Sequence, residues 1–327
     1  MAAWRRVDAT AEGRLRLKYH RTLNFPPGFR WGTATSAHQV EGGNRGNDWW
    51  AWEQRSRVRP RSGRAADHFH RYGEDIRLMR NLGYNAYRCS IEWSRIEPRA
   101  GSFSLAAIAH YRDVIATCNR AGITPFVTLH HFTNPAWFAV AGGWTRRRAI
   151  HAYLRYVTYV VSELGDLVDF WITINEPLVY TLQSHLVGRW PPQGKSYRQA
   201  FRVYRHLAAA HRRAYRAIHG IYQRRRWHRP KVGFTANTVS LYAYRQHSLM
   251  SWLFIRVADF LWNHSFFTLT GRRSHDFAAV NYYFHYRLRG VRFNTLRFFV
   301  QAREEHREMS EVGWEVYPQG IFDVLLD

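Results

Sequence analysis

Short apolar segments alternate with longer stretches of helical period along most of this chain, and that alternation restricts the fold more than any other feature of the sequence. Residues 29–35, 85–91, 123–130, 169–175, 231–236 and 276–282 read as strands. Between 67 and 83, Phe69, Tyr72, Ile76 and Met79 recur at helical steps, with Asp67 placed to cap the start and Gly83 to stop the end. Residues 104–122 repeat the design, and 145–165 carry Ile150, Tyr153, Leu154, Val157 and Val161 on one stripe. Strands separated by helices pair in parallel, and apolar strand bodies imply burial on both faces. The expected class is therefore α/β, either an open doubly wound sheet or a closed barrel.

The chain has 327 residues, 46% of them hydrophobic and 16% aromatic. That is enough for one barrel of about 250 residues or more, so a single domain over 1–327 is expected. Polar residues gather where the strands end, the place where such folds assemble their chemistry. Gln39 and Glu41 follow the first strand, Arg88 lies within the second, and His130 and His131 end the third. Asn175 and Glu176 end the fourth; Asn281, Tyr282 and Tyr283 end the sixth. Trp49, Trp50, Trp93, Phe132, Trp137 and Trp171 are interleaved with them. Stacking faces beside hydrogen-bonding groups suit a sugar ring, which offers an apolar C–H face and a rim of hydroxyls. No glycine-rich phosphate loop follows the first strand, which counts against nucleotide binding.

A net charge of +24 comes almost wholly from arginine, because Lys18, Lys195 and Lys231 are the only lysines. Arg146–Arg148 and Arg224–Arg226 form clusters, but no nucleic-acid reading motif accompanies them. The expectation is a solvated basic surface, its arginines spread over the helices, with only non-specific, salt-sensitive adsorption to nucleic acid. Cys89 and Cys118 fall in a strand-like and a helix-like segment and read as buried thiols. No cofactor or metal is expected. Residues 1–22 show no apolar central stretch of a secretory signal, and no later run is long enough for a bilayer, so a soluble cytoplasmic protein is expected.

These residues resemble glycoside hydrolase family 1, the β-glucosidase and β-galactosidase group of (β/α)8 TIM barrels. Trp31-Gly32-Thr33-Ala34-Thr35-Ser36-Ala37-His38-Gln39-Val40-Glu41-Gly42 is similar to the first-strand signature. Tyr87-Arg88-Cys89-Ser90-Ile91-Glu92-Trp93-Ser94-Arg95-Ile96 is similar to the second. Thr128-Leu129-His130-His131-Phe132, Thr173-Ile174-Asn175-Glu176-Pro177, Asn281-Tyr282-Tyr283 and Gly313-Trp314-Glu315-Val316-Tyr317-Pro318 come next, in the family's order. The resemblance implies a retaining β-glycosidase acting on small β-glycosides or oligosaccharides. Glu176 is then the general acid/base, and Gln39, His131 and Asn175 hydrogen-bond the sugar. Arg88 and Tyr283, with Asn281 beside them, flank the nucleophilic carboxylate.

One departure matters. The family's nucleophile is the glutamate of a Thr-Glu-Asn-Gly-like motif on the seventh strand, and no Glu-Asn-Gly occurs in this sequence. Glu41, Asp48, Glu53, Glu92 and Glu315 lie in motifs with other roles. The expectation is a barrel truncated after about six βα units, ending within the sixth helix, with little or no activity of its own. Its open edges are expected to favour self-association or a complementing chain. A non-catalytic sugar-binding remnant and an arginine-rich polyanion binder on a barrel scaffold are the alternatives.

Overall fold

The computed structural model describes residues 25–55, 60–243, 249–288 and 308–327. Residues 1–22, the stretch expected to hold no secretory signal, lie outside them. Six strands form one all-parallel sheet in sequential order: β1 (Gly32–Ala34), β2 (Ala86–Ser90), β3 (Thr124–Thr128), β4 (Phe170–Asn175), β5 (Lys231–Ala243) and β6 (Ala279–Leu288). Helices lie between successive strands, as a βα repeat requires. This is the barrel arrangement, not the doubly wound one, through six βα units.

The helices form where the apolar stripes put them. His68–Asn81 buries Ile76 and Met79, Leu105–Arg120 buries Ile108, Tyr111, Val114, Ile115 and Cys118, and Arg148–Leu164 buries Ile150, Tyr153, Val157 and Val161. Ser104 caps the second of these by accepting from the Ala107 amide at 3.2 Å. Asp67 does not cap the first. It adopts a left-handed backbone, and its carboxylate faces Arg64 and His70 instead. Gly83, at φ +79°, takes the left-handed position that closes that helix. The longest helix, Tyr197–Arg225, joins β4 to β5 and buries Val203, Leu207, Ala210, Ala214 and Ile218 against the Arg148–Leu164 helix and β4. Between 238 and 274 the described residues form the end of β5 and the helices Leu249–Asp259 and Ser265–Thr270, joined by the π-helical turn Phe260–His264.

Strand lengths depart from expectation at both ends of the sheet. β1 is only three residues long. β5 and β6 run past their expected limits, so Asn281, Tyr282 and Tyr283 lie inside β6 instead of ending it. Register shifts interrupt the ladder between Ile172 and Asn175 and between Thr238 and Ser240. Such irregularities re-aim side chains near barrel rims, and here they adjoin the polar cluster around Glu176. β1 and β6 are the sheet's edges. Exposed Phe25, Phe29 and Trp31 pack on one another beside β1, and exposed Tyr283 lies against Trp314 beside β6. Cys89 and Cys118 are free thiols, and burial pushes Cys118 up to about 12 and Cys89 higher still. Among the described residues, no helix is long and apolar enough to cross a membrane.

Candidate active site

The body of β2, the C-terminal end of β4 and the first half of β6 bring four polar side chains into one closed set of hydrogen bonds. Arg88, in the body of β2, is held by Nε donating to Thr128 Oγ1 at 3.2 Å. Its Nη1 donates to Asn281 Oδ1 at 3.1 Å, and its Nη2 donates to Asn175 Oδ1. Asn281 turns its Nδ2 toward Asn175 Oδ1 at 3.3 Å and toward Glu176 Oε1. The Asn281 amide therefore both accepts and donates within the set, and the guanidinium is fixed from three directions.

Glu176 is pinned by its backbone as well. The chain leaves β4 through a left-handed conformation at Glu176, φ 45°. Its N–H donates to the Thr235 carbonyl at 2.7 Å, while its own carbonyl starts the next helix by accepting from Tyr180. Pro177 occupies the first position of that helix, where its missing N–H costs nothing. A non-glycine residue in this conformation is uncommon, and here it swings the carboxyl back over the strand ends. The side chain is buried, with 6% of the residue exposed. Burial pushes its pKa above the ordinary carboxylate range, although the Asn281 amide, the Arg88 charge and the Asn237 amide all favour the ionised form. Burial also lowers the Arg88 pKa, against the pull of Glu176 and Tyr283.

The remaining expected residues are placed less uniformly. His131 lies just beyond β3, and its Nδ1 is buried with no hydrogen-bond partner among the described residues. Burial, then Arg88 and His130, holds its ring well below the usual histidine range and so neutral. His130 points the other way, its Nε2 donating to Asn134 Oδ1 at 3.1 Å, and burial pushes it down to about 4. Gln39 sits in the short helix Ala37–Val40 and is exposed, accepting from Ser36 Oγ; it is not part of the Arg88 set. Tyr283 is half exposed on β6, yet close enough to Glu176 and Arg88 to feel both charges. An aromatic wall continues from His131 through Phe132 and Trp190 to Trp49 and Trp52, with centroid separations of 5.0, 4.8, 5.2 and 5.5 Å.

The sequence pattern does not single out Asn237 or Trp190. Asn237 lies on β5 opposite Asn281 and touches Glu176. A signal for it exists, since Asn237 comes just after the apolar body of the fifth strand, as Asn175 does in the fourth. Trp190 lies in a loop, with no periodic neighbour to mark it.

The glycosyl hydrolase family 1 model matches residues 21–252, well over half of the chain. The chain belongs to glycosyl hydrolase family 1. As a family 1 chain it is 38% identical over 205 residues to Beta-glucosidase 42 of Arabidopsis thaliana, covering 59% of this chain and 42% of that relative. It is 36% identical over 199 residues to Beta-glucosidase A of Thermotoga maritima, covering 58% and 45%. It thus spans less than half the length of these curated relatives. Among solved structures, the beta-glycosidase from Pyrococcus horikoshii superposes with TM-score 0.84 at 38% identity, covering 92% of this chain and 73% of that one. The beta-glucosidase from Thermotoga maritima in complex with castanospermine gives 0.82 at 27% identity, covering 92% and 74%. The six strands correspond to the TIM barrel of these family 1 structures.

Proposed function

We propose that this chain carries the acid/base half of a retaining β-glycosidase site within a single barrel domain, with Glu176 protonating the glycosidic oxygen of a small β-glycoside. The observation that carries this reading is the hydrogen-bonded set of Arg88, Asn175, Asn281 and Glu176, in which Asn175 and Glu176 are buried. A carboxyl that hands over a proton near neutral pH needs a raised pKa, and burial moves Glu176 in that direction. With Asn175 Oδ1 occupied by Arg88 and Asn281, the Nδ2 of Asn175 is the donor for the sugar hydroxyl next to the reacting carbon. That hydrogen bond strengthens as oxocarbenium character develops. Gln39 and His131 serve the outer hydroxyls, and Arg88 and Tyr283 flank the nucleophile's position.

In the retaining reaction a carboxylate about 5–5.5 Å from the acid attacks the anomeric carbon as Glu176 protonates the departing oxygen. Glu176, now ionised, then takes a proton from the water that attacks the anomeric carbon and releases the carboxylate from it. Among the described residues, the other buried or partly buried carboxylates near the strand ends are engaged by other partners. Glu41 accepts from Tyr111 and Arg95, Glu53 from Ser62, Glu92 from Ser94 and Thr133, Glu97 from Trp93 and Arg155, and Glu315 from Arg287. Asp48 accepts twice from Asn134. Because no Glu-Asn-Gly motif occurs in the sequence, the family's nucleophile is proposed to be missing from residues 1–327, leaving this chain alone with little or no turnover.

Calorimetric titration with castanospermine tests the sugar-site reading independently of turnover. Saturable binding is expected, weakened at least about tenfold by Glu176→Gln through loss of a charge-assisted contact. Absence of binding, or affinity unchanged by Glu176→Gln, contradicts it.

A further inference from the structure

The arginines are not spread evenly over the molecule. No Asp or Glu occurs between Glu176 and Asp259, a stretch that holds fifteen Lys and Arg. At its centre the helix Tyr197–Arg225 carries eight arginines and no acid. Its apolar stripe faces the core, so Arg198, Arg202 and Arg205, at steps of four and three, share the outward face. Two large aromatics lie on the same turns with no packing reason to be there: Tyr197 is 59% and Phe201 65% exposed. The Arg205 guanidinium rests 5.6 Å from the Phe201 ring centroid.

A second basic element adjoins this end of the helix. His206 Nδ1 donates to the Trp144 carbonyl at 2.8 Å, bringing the helix against the turn that leads into Arg146, Arg147 and Arg148. Those three line a cleft of about 510 Å³ with Val140, Ala141 and Gly142. Among the described residues, none of Arg146, Arg147, Arg198, Arg202 and Arg205 has a carboxylate in ion-pair reach, whereas Arg112 and Arg155 on neighbouring elements do.

We propose that this face binds single-stranded nucleic acid, its phosphates on Arg198, Arg202, Arg205 and the Arg146–Arg148 turn and its bases stacked on Tyr197 and Phe201. Unpaired guanidinium groups complement a phosphate chain, and exposed aromatic planes between them complement unstacked bases, which a duplex does not offer. The surface lies on the outer helices and makes no use of Glu176, so it stands or falls separately from the glycosidase reading.

Fluorescence anisotropy with a labelled single strand of about 16 nucleotides, and with a duplex of equal length, tests it across about 50–200 mM salt. The single strand is expected to bind more tightly. Tyr197→Ala with Phe201→Ala should weaken it at least about thirtyfold without changing the slope of log K against log salt. Arg198→Gln, Arg202→Gln and Arg205→Gln together should flatten that slope by about 2. The charge-matched triple Arg77→Gln, Arg80→Gln and Arg99→Gln, on other exposed elements, should leave it nearly unchanged. Equal binding of duplex and single strand, or equal slopes in the two arginine triples, overturns the proposal in favour of diffuse charge.

Discussion

Glu176 is held between opposing influences, and its neighbours can be moved one at a time. Desolvation raises its pKa, while the Asn281 amide is the foremost group lowering it. Asn281→Ala should therefore raise the Glu176 pKa further, because it removes a hydrogen bond that favours the ionised carboxylate. An NMR titration of carbon-13-labelled glutamate reads this directly, and a fall on removing Asn281 contradicts the assigned contact. Other buried groups set how stability varies with pH. Burial holds His130 and His185 down at about 4 and His211 at about 3. Their folded pKa values lie below the unfolded one of about 6.5. Their stabilisation is thus fully present above about 6.5 and is lost as pH falls toward about 4, because only the unfolded chain takes up the protons. Glu41 and Asp48, pushed up to about 7 by burial, act in the opposite sense and lose stability as pH rises toward 7. The histidines outnumber them, so the denaturant midpoint should fall between about pH 6.5 and 4. Asp48→Asn, which removes one opposing group, should make that fall steeper, and a shallower fall in the variant contradicts this balance of charges.

Among the elements, the apolar stripes make the helices legible, and the strand bodies define the parallel sheet. Strand ends are not legible, because polar residues there read as terminators. Asn281 and Tyr283 sit inside β6, whose aromatic run Tyr282–Tyr286 favours extended backbone. Asn237 escapes notice on β5 for the same reason. The Asp67 cap fails because side-chain partners on Arg64 and His70, invisible to local pattern, claim its carboxylate. At the other edge, β1 is short and depends on close approach. A Cβ built on Gly32 would lie 2.0 Å from the Ala86 carbonyl oxygen across the β1–β2 ladder. Gly32→Ala should force β1 away from β2 and cost about 1–3 kcal/mol. Urea denaturation checks this, with an unchanged midpoint as the contrary result.

For the molecule as a whole, six ordered motifs are enough to recognise the family, because they follow the order of the repeating units, five on or beside strands and one in the loop before the last helix. The site is legible in part. Arg88, Asn175, Glu176 and Asn281 come together, His131 and Tyr283 stand nearby, and Gln39 remains exposed at the mouth. Spacing along a chain identifies which residues reach the rim, but it does not specify which of them bond to one another. Through β6 the sheet presents Glu176, an acid whose pKa burial raises and whose carboxyl meets Asn281, while the other buried carboxylates among the described residues are engaged by other partners. Turnover of an activated aryl β-glucoside by the 327-residue chain, with and without azide, tests this half-site most directly. Azide can stand in for a missing carboxylate nucleophile. Negligible turnover in buffer is expected, with partial activity in azide that Glu176→Gln diminishes. Turnover in buffer at about 10 s⁻¹, an ordinary enzyme rate, or azide-dependent activity indifferent to Glu176→Gln, would contradict a chain that holds the acid/base without its nucleophile.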